Sequence, residues 1–260
     1  MIQSDEFAGK VVVVTGSSQG IGLEICRQFA GLGATVISVA RNKVKLETAK
    51  NTIKNNSKVY TFPCDLSVES EIEKLFHDIK EKFRKVDILV NNLGAYSDKV
   101  EWNAIDYDLW IKTFETNVLS AYFCMVKAAE MMVENQTKGV IINIGSSSAL
   151  QVKKGRLHYT VTKSSLHTLS RVAAMDLAKH QIRVNVVSPG PTATEIVQKR
   201  MQDPEQRAQE ETRLKKIPLG RYASTVDIAN AVVFLSSSMG EFITGAILPV
   251  DGGYTIGETV

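Results

Sequence analysis

The chain has 260 residues, 44% hydrophobic and 23% charged, the composition of an ordinary globular protein and not of a disordered or fibrous one. Its 31 basic and 28 acidic side chains leave a net charge of +3 and are interspersed, with no basic run among aromatics, so neither nucleic acid nor an anionic membrane is an expected partner. No stretch approaches the roughly 20 apolar residues of a membrane span, the first ten residues lack the apolar centre of a secretory signal, and the last four match no lipidation or retention tail; the expected compartment is cytoplasmic.

Short apolar runs alternate with longer helical periods along the whole chain. Val11-Val12-Val13-Val14 predicts a buried strand, because β-branched side chains favour the pleated backbone. A helix follows, with Ile21, Ile25 and Phe29 four residues apart and Gly31 and Gly33 as its stop. A strand over 35–40 and a charged helix over 43–54 come next, then a strand over 59–62. The helix over 71–83 carries Ile72, Leu75, Ile79 and Phe83 on one face. A strand over 88–90 precedes a long apolar helix within 110–134, and further strands are predicted over 140–144, 184–187 and 246–250. Helices over 165–178 and 226–235 separate these, the latter with Ser224 or Thr225 as N-cap and Asp227 in its first turn.

Strands that are apolar throughout are buried on both faces, as in a parallel sheet covered by helices. The expected fold is therefore α/β: a single Rossmann-type, doubly wound domain over 1–260, with a parallel sheet of about seven strands flanked by helices. Cys26, Cys64 and Cys124 are far apart and form no Cys-x-x-Cys pair, and the four histidines show no i,i+4 pairing. Buried reduced thiols and no metal site are expected.

Thr15-Gly16-Ser17-Ser18-Gln19-Gly20-Ile21-Gly22 joins the first strand to the first helix. Glycines there allow a tight turn and close backbone approach to a phosphate, and the helix N-terminus attracts its charge. The spacing Gly-x-x-x-Gly-x-Gly differs from the general dinucleotide fingerprint, but its place after the first buried strand points to dinucleotide binding. The second strand ends Val39-Ala40-Arg41-Asn42, with an arginine and no acid where the adenosine ribose would lie. A guanidinium there suits a 2′-phosphate, which favours NADP(H) over NAD(H).

Tyr159 and Lys163 are four residues apart, and Ser146 lies thirteen residues before the tyrosine. On a helix the pair shares a face, and a cation beside a phenol favours the phenolate, suiting it to proton transfer near neutral pH. Seven tyrosines and 21 lysines make about 0.6 chance matches to that spacing, so its weight comes from the features around it.

Together these residues resemble the short-chain dehydrogenase/reductase family in its compact form of about 250 residues, from Gly9 to Gly253. The resemblance implies cofactor contacts at Gly16, Ser18, Gln19, Gly20, Ile21 and Gly22 in the turn, and at Arg41. It also implies contacts at Asp65 and Leu66 after the third strand, and at Asn91 and Gly94 in Asn91-Asn92-Leu93-Gly94, where Leu93 replaces the usual alanine. Pro189, Gly190, Thr192 and Thr194 would orient the nicotinamide. Thr244-Gly245 and Asp251-Gly252-Gly253 match chiefly as structure.

The catalytic set implied is Asn117, Ser146, Tyr159 and Lys163, with Tyr159 and Lys163 also contacting the cofactor. Tyr159 would donate the proton, Ser146 bond the substrate oxygen, Lys163 tune the tyrosine and Asn117 hold a water linking Lys163 to solvent. The implied reaction is NADPH-dependent reduction of a ketone to a secondary alcohol, or the reverse, on a small-molecule carbonyl or alcohol substrate. Reduction of 3-oxoacyl thioesters is the competing subclass, although the turn Glu134-Asn135-Gln136-Thr137-Lys138 offers little positive charge to an acidic carrier. A non-catalytic NADP(H)-binding regulator is a further alternative. The charged segment 195–217 resembles a substrate-covering lid, and Leu150, Gln151, Val152, Lys153, Tyr96 and Trp102 are candidate pocket walls. The long apolar helices around Asn117 and Tyr159 offer faces for self-association, and the resemblance implies a homotetramer or homodimer.

Overall fold

The computed structural model of the chain describes residues 5–95, 99–152 and 154–257, apart from the side chains of 196, 198, 199 and 205. Seven strands, β1 (Val11–Thr15), β2 (Thr35–Ala40), β3 (Val59–Pro63), β4 (Ile88–Asn91), β5 (Val140–Ile144), β6 (Arg183–Pro189) and β7 (Ile247–Val250), form one sheet. Its order is β3-β2-β1-β4-β5-β6-β7, and every pairing is parallel.

The four-valine run shows why such strands carry no polar face. Successive side chains point to opposite sides of a sheet, so Val11 and Val13 enter one apolar cluster and Val12 and Val14 the other. The first cluster is closed by α3 (Glu69–Phe83), α5 (Ser120–Glu134) and α6 (Leu157–Leu177). The second is closed by α1 (Gly20–Gly31) and α9 (Thr225–Ser236). The three cysteines are buried and unbridged, and burial pushes the thiols of Cys26 and Cys64 up to about 12.

Three differences from the sequence reading bear on the site. The helix expected over 165–178 begins at Leu157, which puts Tyr159 in its first turn. The long helix expected within 110–134 comprises α4 (Tyr107–Phe114), a π-helical turn Glu115–Leu119 and α5. A π turn adds a residue to one helical turn and redirects its side chains, and Asn117 lies in it. The second helix, α2 (Lys43–Asn51), is shorter than expected.

From β1 the chain winds outward through β2 and β3, then returns to β4 on the other side of β1. That reversal leaves a crevice outside the carboxyl ends of β1 and β4. Two helices, α7 (Glu195–Gln202) and α8 (Pro204–Leu214), follow β6 and border it.

Candidate active site

A cleft of about 1020 Å³ opens at that reversal, lined among others by Ile21, Gly94, Ser146, Tyr159, Lys163 and Thr194. Pro189, Gly190 and Thr192 line it from the β6 side. The sequence signals after β1, β4, β5 and β6 therefore converge on one concavity although they come from four separate β–α connections.

The glycine turn is shaped by its neighbours. Gly16 has φ +62°, and a Cβ there would stand 2.9 Å from the Leu93 Cα. At Gly22 a Cβ would stand 2.5 Å from Asn92 Nδ2. Asn92 donates from Nδ2 to the carbonyls of Thr15 (2.9 Å) and Gly16 (3.0 Å), and the Thr15 hydroxyl accepts from the amides of Asn92 and Leu93, each at 3.0 Å. Leu93 turns its side chain against the apolar core, which absorbs its extra size. Thr15 and Asn92 were not singled out in the sequence; the adjacency of Asn92 to Asn91 was the available signal.

Gly20 (φ +59°) is different, because its nearest neighbour would be the Thr194 Cγ2 at 3.9 Å, which leaves the helix start open. Helix α1 has no side-chain cap and no acid in its first turn. An open, uncapped helix N-terminus facing a cleft fits an anionic group, and the diphosphate of a nicotinamide dinucleotide meets that description.

At the far edge, Arg41 Nη1 stands 3.7 Å from Asp65 Oδ2. Burial raises the Asp65 carboxyl, but hydrogen bonds from Ser67 and the Arg41 charge outweigh it and hold the group below the usual range. The sequence reading left Arg41 without an acid in reach, and the structure supplies Asp65 from just beyond the end of β3. Two other residues face away from the cleft. Leu66 is core, 2% exposed, so only its backbone is available to a ligand. Asn91 is buried and donates to Asn143 Oδ1 (2.9 Å) and the Ala121 carbonyl (3.1 Å), tying β4 to β5 and α5.

The candidate proton-transfer residues sit at the β5–α6 connection. Lys163 is 3% exposed, donates to the Ile144 carbonyl at 2.8 Å, and has its ammonium pulled down to about 8 by burial. Gly94 allows this approach, since a Cβ there would lie 3.2 Å from Lys163 Nζ and 3.5 Å from Asn117 Oδ1. Ser146 caps a short 3₁₀ turn and accepts from the Ser148 amide at 3.2 Å. Ser148 also lines the cleft.

Asn117 lies behind the cleft, fully buried. Its Oδ1 accepts from the Ala95 amide at 2.7 Å, and its Nδ2 donates to the Ala95 carbonyl (3.3 Å) and to Thr162 Oγ1 (3.0 Å). Both amide protons are thereby committed to fixing the Gly94–Ala95 loop against α6. Behind Lys163 lies His167, whose Nε2 would touch a Cβ on Gly145. Burial and then the Lys163 charge hold that imidazole down to about 4, which keeps it neutral near neutral pH.

Of the candidate pocket walls, Trp102, Leu150 and Val152 are exposed, while Tyr96 and Lys153 lie outside the described residues. Among the described residues no helix is long and apolar enough to cross a membrane.

A family model described as enoyl-(acyl carrier protein) reductase matches residues 16–255. An L-rhamnose 1-dehydrogenase (NAD(P)(+)) of Azotobacter vinelandii is 36% identical over 249 residues, 94% of this chain and 96% of that protein. The 3-oxoacyl-[acyl-carrier-protein] reductase FabG of Escherichia coli is also 36% identical, over 95% of this chain and 98% of its own. The crystal structure of a putative gluconate dehydrogenase from Agrobacterium tumefaciens superposes with a TM-score of 0.91 at 28% identity, over 99% of this chain and 100% of that one. These matches run through the glycine turn and the Ser146, Tyr159 and Lys163 connection alike, and the chain belongs to the short-chain dehydrogenase/reductase family of oxidoreductases.

Proposed function

We propose that the protein is an NADP(H)-dependent oxidoreductase interconverting a ketone and a secondary alcohol, with Tyr159 as general acid and base. The observation that carries this reading is the meeting of Ser146, Tyr159 and the buried Lys163 on one cleft, opposite an open helix N-terminus. When bound, a nicotinamide dinucleotide supplies or takes up the hydride. Ile21, Gly20 and the α1 N-terminus would hold its diphosphate, and Pro189, Gly190, Thr192 and Thr194 its nicotinamide end. In reduction the Tyr159 hydroxyl gives its proton to the carbonyl oxygen, and in oxidation the phenolate takes it back. Ser146 accepts from Ser148, which leaves its own O–H to donate to the substrate oxygen and stabilise charge developing there. Lys163 favours the phenolate. With both Asn117 amide protons engaged, Asn117 acts as a positioning residue for Lys163, and any water it holds must use its remaining acceptors.

Arg41 supports NADP(H) over NAD(H). Residues 195–217 form the lid over the substrate, within a single domain. We assign the protein to the cytoplasm as a homotetramer or homodimer. Replacing Tyr159 by Phe should lower kcat by roughly 10²-fold or more while leaving NADPH binding, read by fluorescence titration, within about twofold. Undiminished turnover in that variant sinks the assignment. The match to FabG favours a second reading, reduction of a 3-oxoacyl thioester; exclusive activity on such thioesters in a substrate screen would select it.

A further inference from the structure

Among the described residues, the cleft is lined by seven basic side chains and a single carboxylate, Glu210. That carboxylate is already committed. It is 5% exposed, stands 3.6 Å from Arg200 and 3.7 Å from Arg213, and accepts from the Tyr222 hydroxyl at 2.6 Å. Glu210 therefore balances the cations of its own lid. It does not reach Lys99 or Lys154, and neither lysine has a carboxylate within 4.0 Å among the described residues.

Position separates these cations from those that serve the cofactor. The turn of residues 16–22 and Arg41 follow β1 and β2, the half of the sheet beyond the reversal. Lys99 follows β4, whereas Lys154 and Arg156 follow β5, the half that carries Ser146 and Tyr159. The two loops are clamped together. The Val100 amide donates to the Gly155 carbonyl at 2.9 Å, and Gly155 (φ +77°) lies so close that a Cβ would stand 3.3 Å from Lys99 Cβ. Arg156 begins α6, its carbonyl accepting from the Thr160 amide at 2.8 Å. The three cations thus share a rim of the cleft, with Arg156 a helical turn from Tyr159, in a concavity whose walls concentrate their field.

We propose that the substrate is an anion: a small hydroxy or oxo compound whose carboxylate or phosphate is held by Lys99, Lys154 and Arg156 while its reacting oxygen meets Tyr159. The proposal rests on the carbonyl and alcohol chemistry proposed above. That chemistry leaves the anionic group untouched: reduction adds one hydride to carbon and one proton from Tyr159 to oxygen, and oxidation removes both. The rim adds charge-assisted hydrogen bonds that a neutral analogue forgoes.

The test compares compounds matched in carbon skeleton: an aldose, its aldonate and its terminal phosphate ester with NADP⁺, and a methyl ketone against its ω-carboxylate with NADPH. The anionic members should show kcat/KM at least about tenfold higher, an advantage that shrinks as ionic strength rises from about 0.02 to 0.5 M. The aldonate and phosphate arms decide which anion is meant. In a Lys99→Ala, Lys154→Ala double variant the ratio of anionic to neutral kcat/KM should fall about tenfold. A binding arm needs no turnover: tartrate or inorganic phosphate should raise the Tm of the wild type more than that of the double variant. Equal or better use of the neutral members overturns the proposal and spares the oxidoreductase reading, as does activity confined to carrier-bound thioesters. Anion-dependent Tm shifts without turnover of any compound sustain the anion site and overturn the reaction instead.

Discussion

In the proposed mechanism Lys163 meets two opposed demands, since its charge is wanted beside Tyr159 while its burial disfavours that charge. Desolvation lowers the ammonium to about 8, against about 10.4 in an unfolded chain. The unfolded state therefore binds the extra proton between about pH 8 and 10.4, and stability rises with pH across that window as the folding penalty is relieved. A Lys163→Met variant lacks this term, although it leaves the Ile144 carbonyl without its donor at every pH. The Tm of the wild type minus that of the variant should thus increase from pH 7 to pH 10 in thermal scans, and a constant difference would mean that Lys163 titrates normally. Arg41 poses the other residue-scale question. It is 73% exposed and 3.7 Å from Asp65, and such exposed pairs are worth about 0–1 kcal/mol, so the guanidinium remains available to a phosphate. Arg41→Ala should raise the KM for NADPH roughly tenfold or more, the scale of one charge-assisted hydrogen bond, and leave that for NADH within about twofold. Equal rises for both would remove the 2′-phosphate role.

At the scale of elements, legibility followed how local the cause is. The strand β1 was readable because a β-branched run acts on its own backbone, and the start of α9 because Ser224 and Asp227 form a capping box within four residues. The start of α6 was hidden: Arg156 supplies no side-chain cap, and Tyr159, Thr160, Val161 and Thr162 are mediocre helix formers. Tertiary packing against the Ser147–Ala149 turn, the π turn and α4 accompanies the extension of the helix back to Leu157. The π turn was hidden for the opposite reason, since the apolar period continues through it and only the side-chain bonds of Asn117 mark the site. Which neighbour in a motif faces the cleft also depends on the partner strands. Asn91 bonds Asn143 across the register that pairs β4 with β5, and this turns it inward while Asn92 staples the glycine turn. The Arg41–Asp65 pair likewise needs β2 and β3 in register, with Ala40 opposite Pro63. Neither strand reveals it alone.

For the whole molecule, the parallel order confines the cleft to the carboxyl edge of the sheet and keeps the flanks of the helical layers clear of it. On the layer built from α3, α5 and α6, apolar side chains stand exposed on the outer faces of α5 and α6. Tyr122 and Val133 on α5 and Val161, Val172 and Met175 on α6 are exposed, Met175 to 80%. Exposed apolar side chains grouped on one layer of a chain with 23% charged residues make that layer the candidate surface for the proposed self-association, to which the long apolar helices of the sequence also pointed. In a two-fold interface each residue meets the same patch of its twin, so a charge introduced there is buried twice. Val172→Glu combined with Met175→Glu should therefore convert a dimer or tetramer into a monomer by light scattering at micromolar concentration, with far-UV circular dichroism unchanged. The fold should survive, because the two side chains contribute little to the core of the isolated subunit. A wild type that is already monomeric, or a double variant that keeps the parental mass, would place the assembly surface elsewhere.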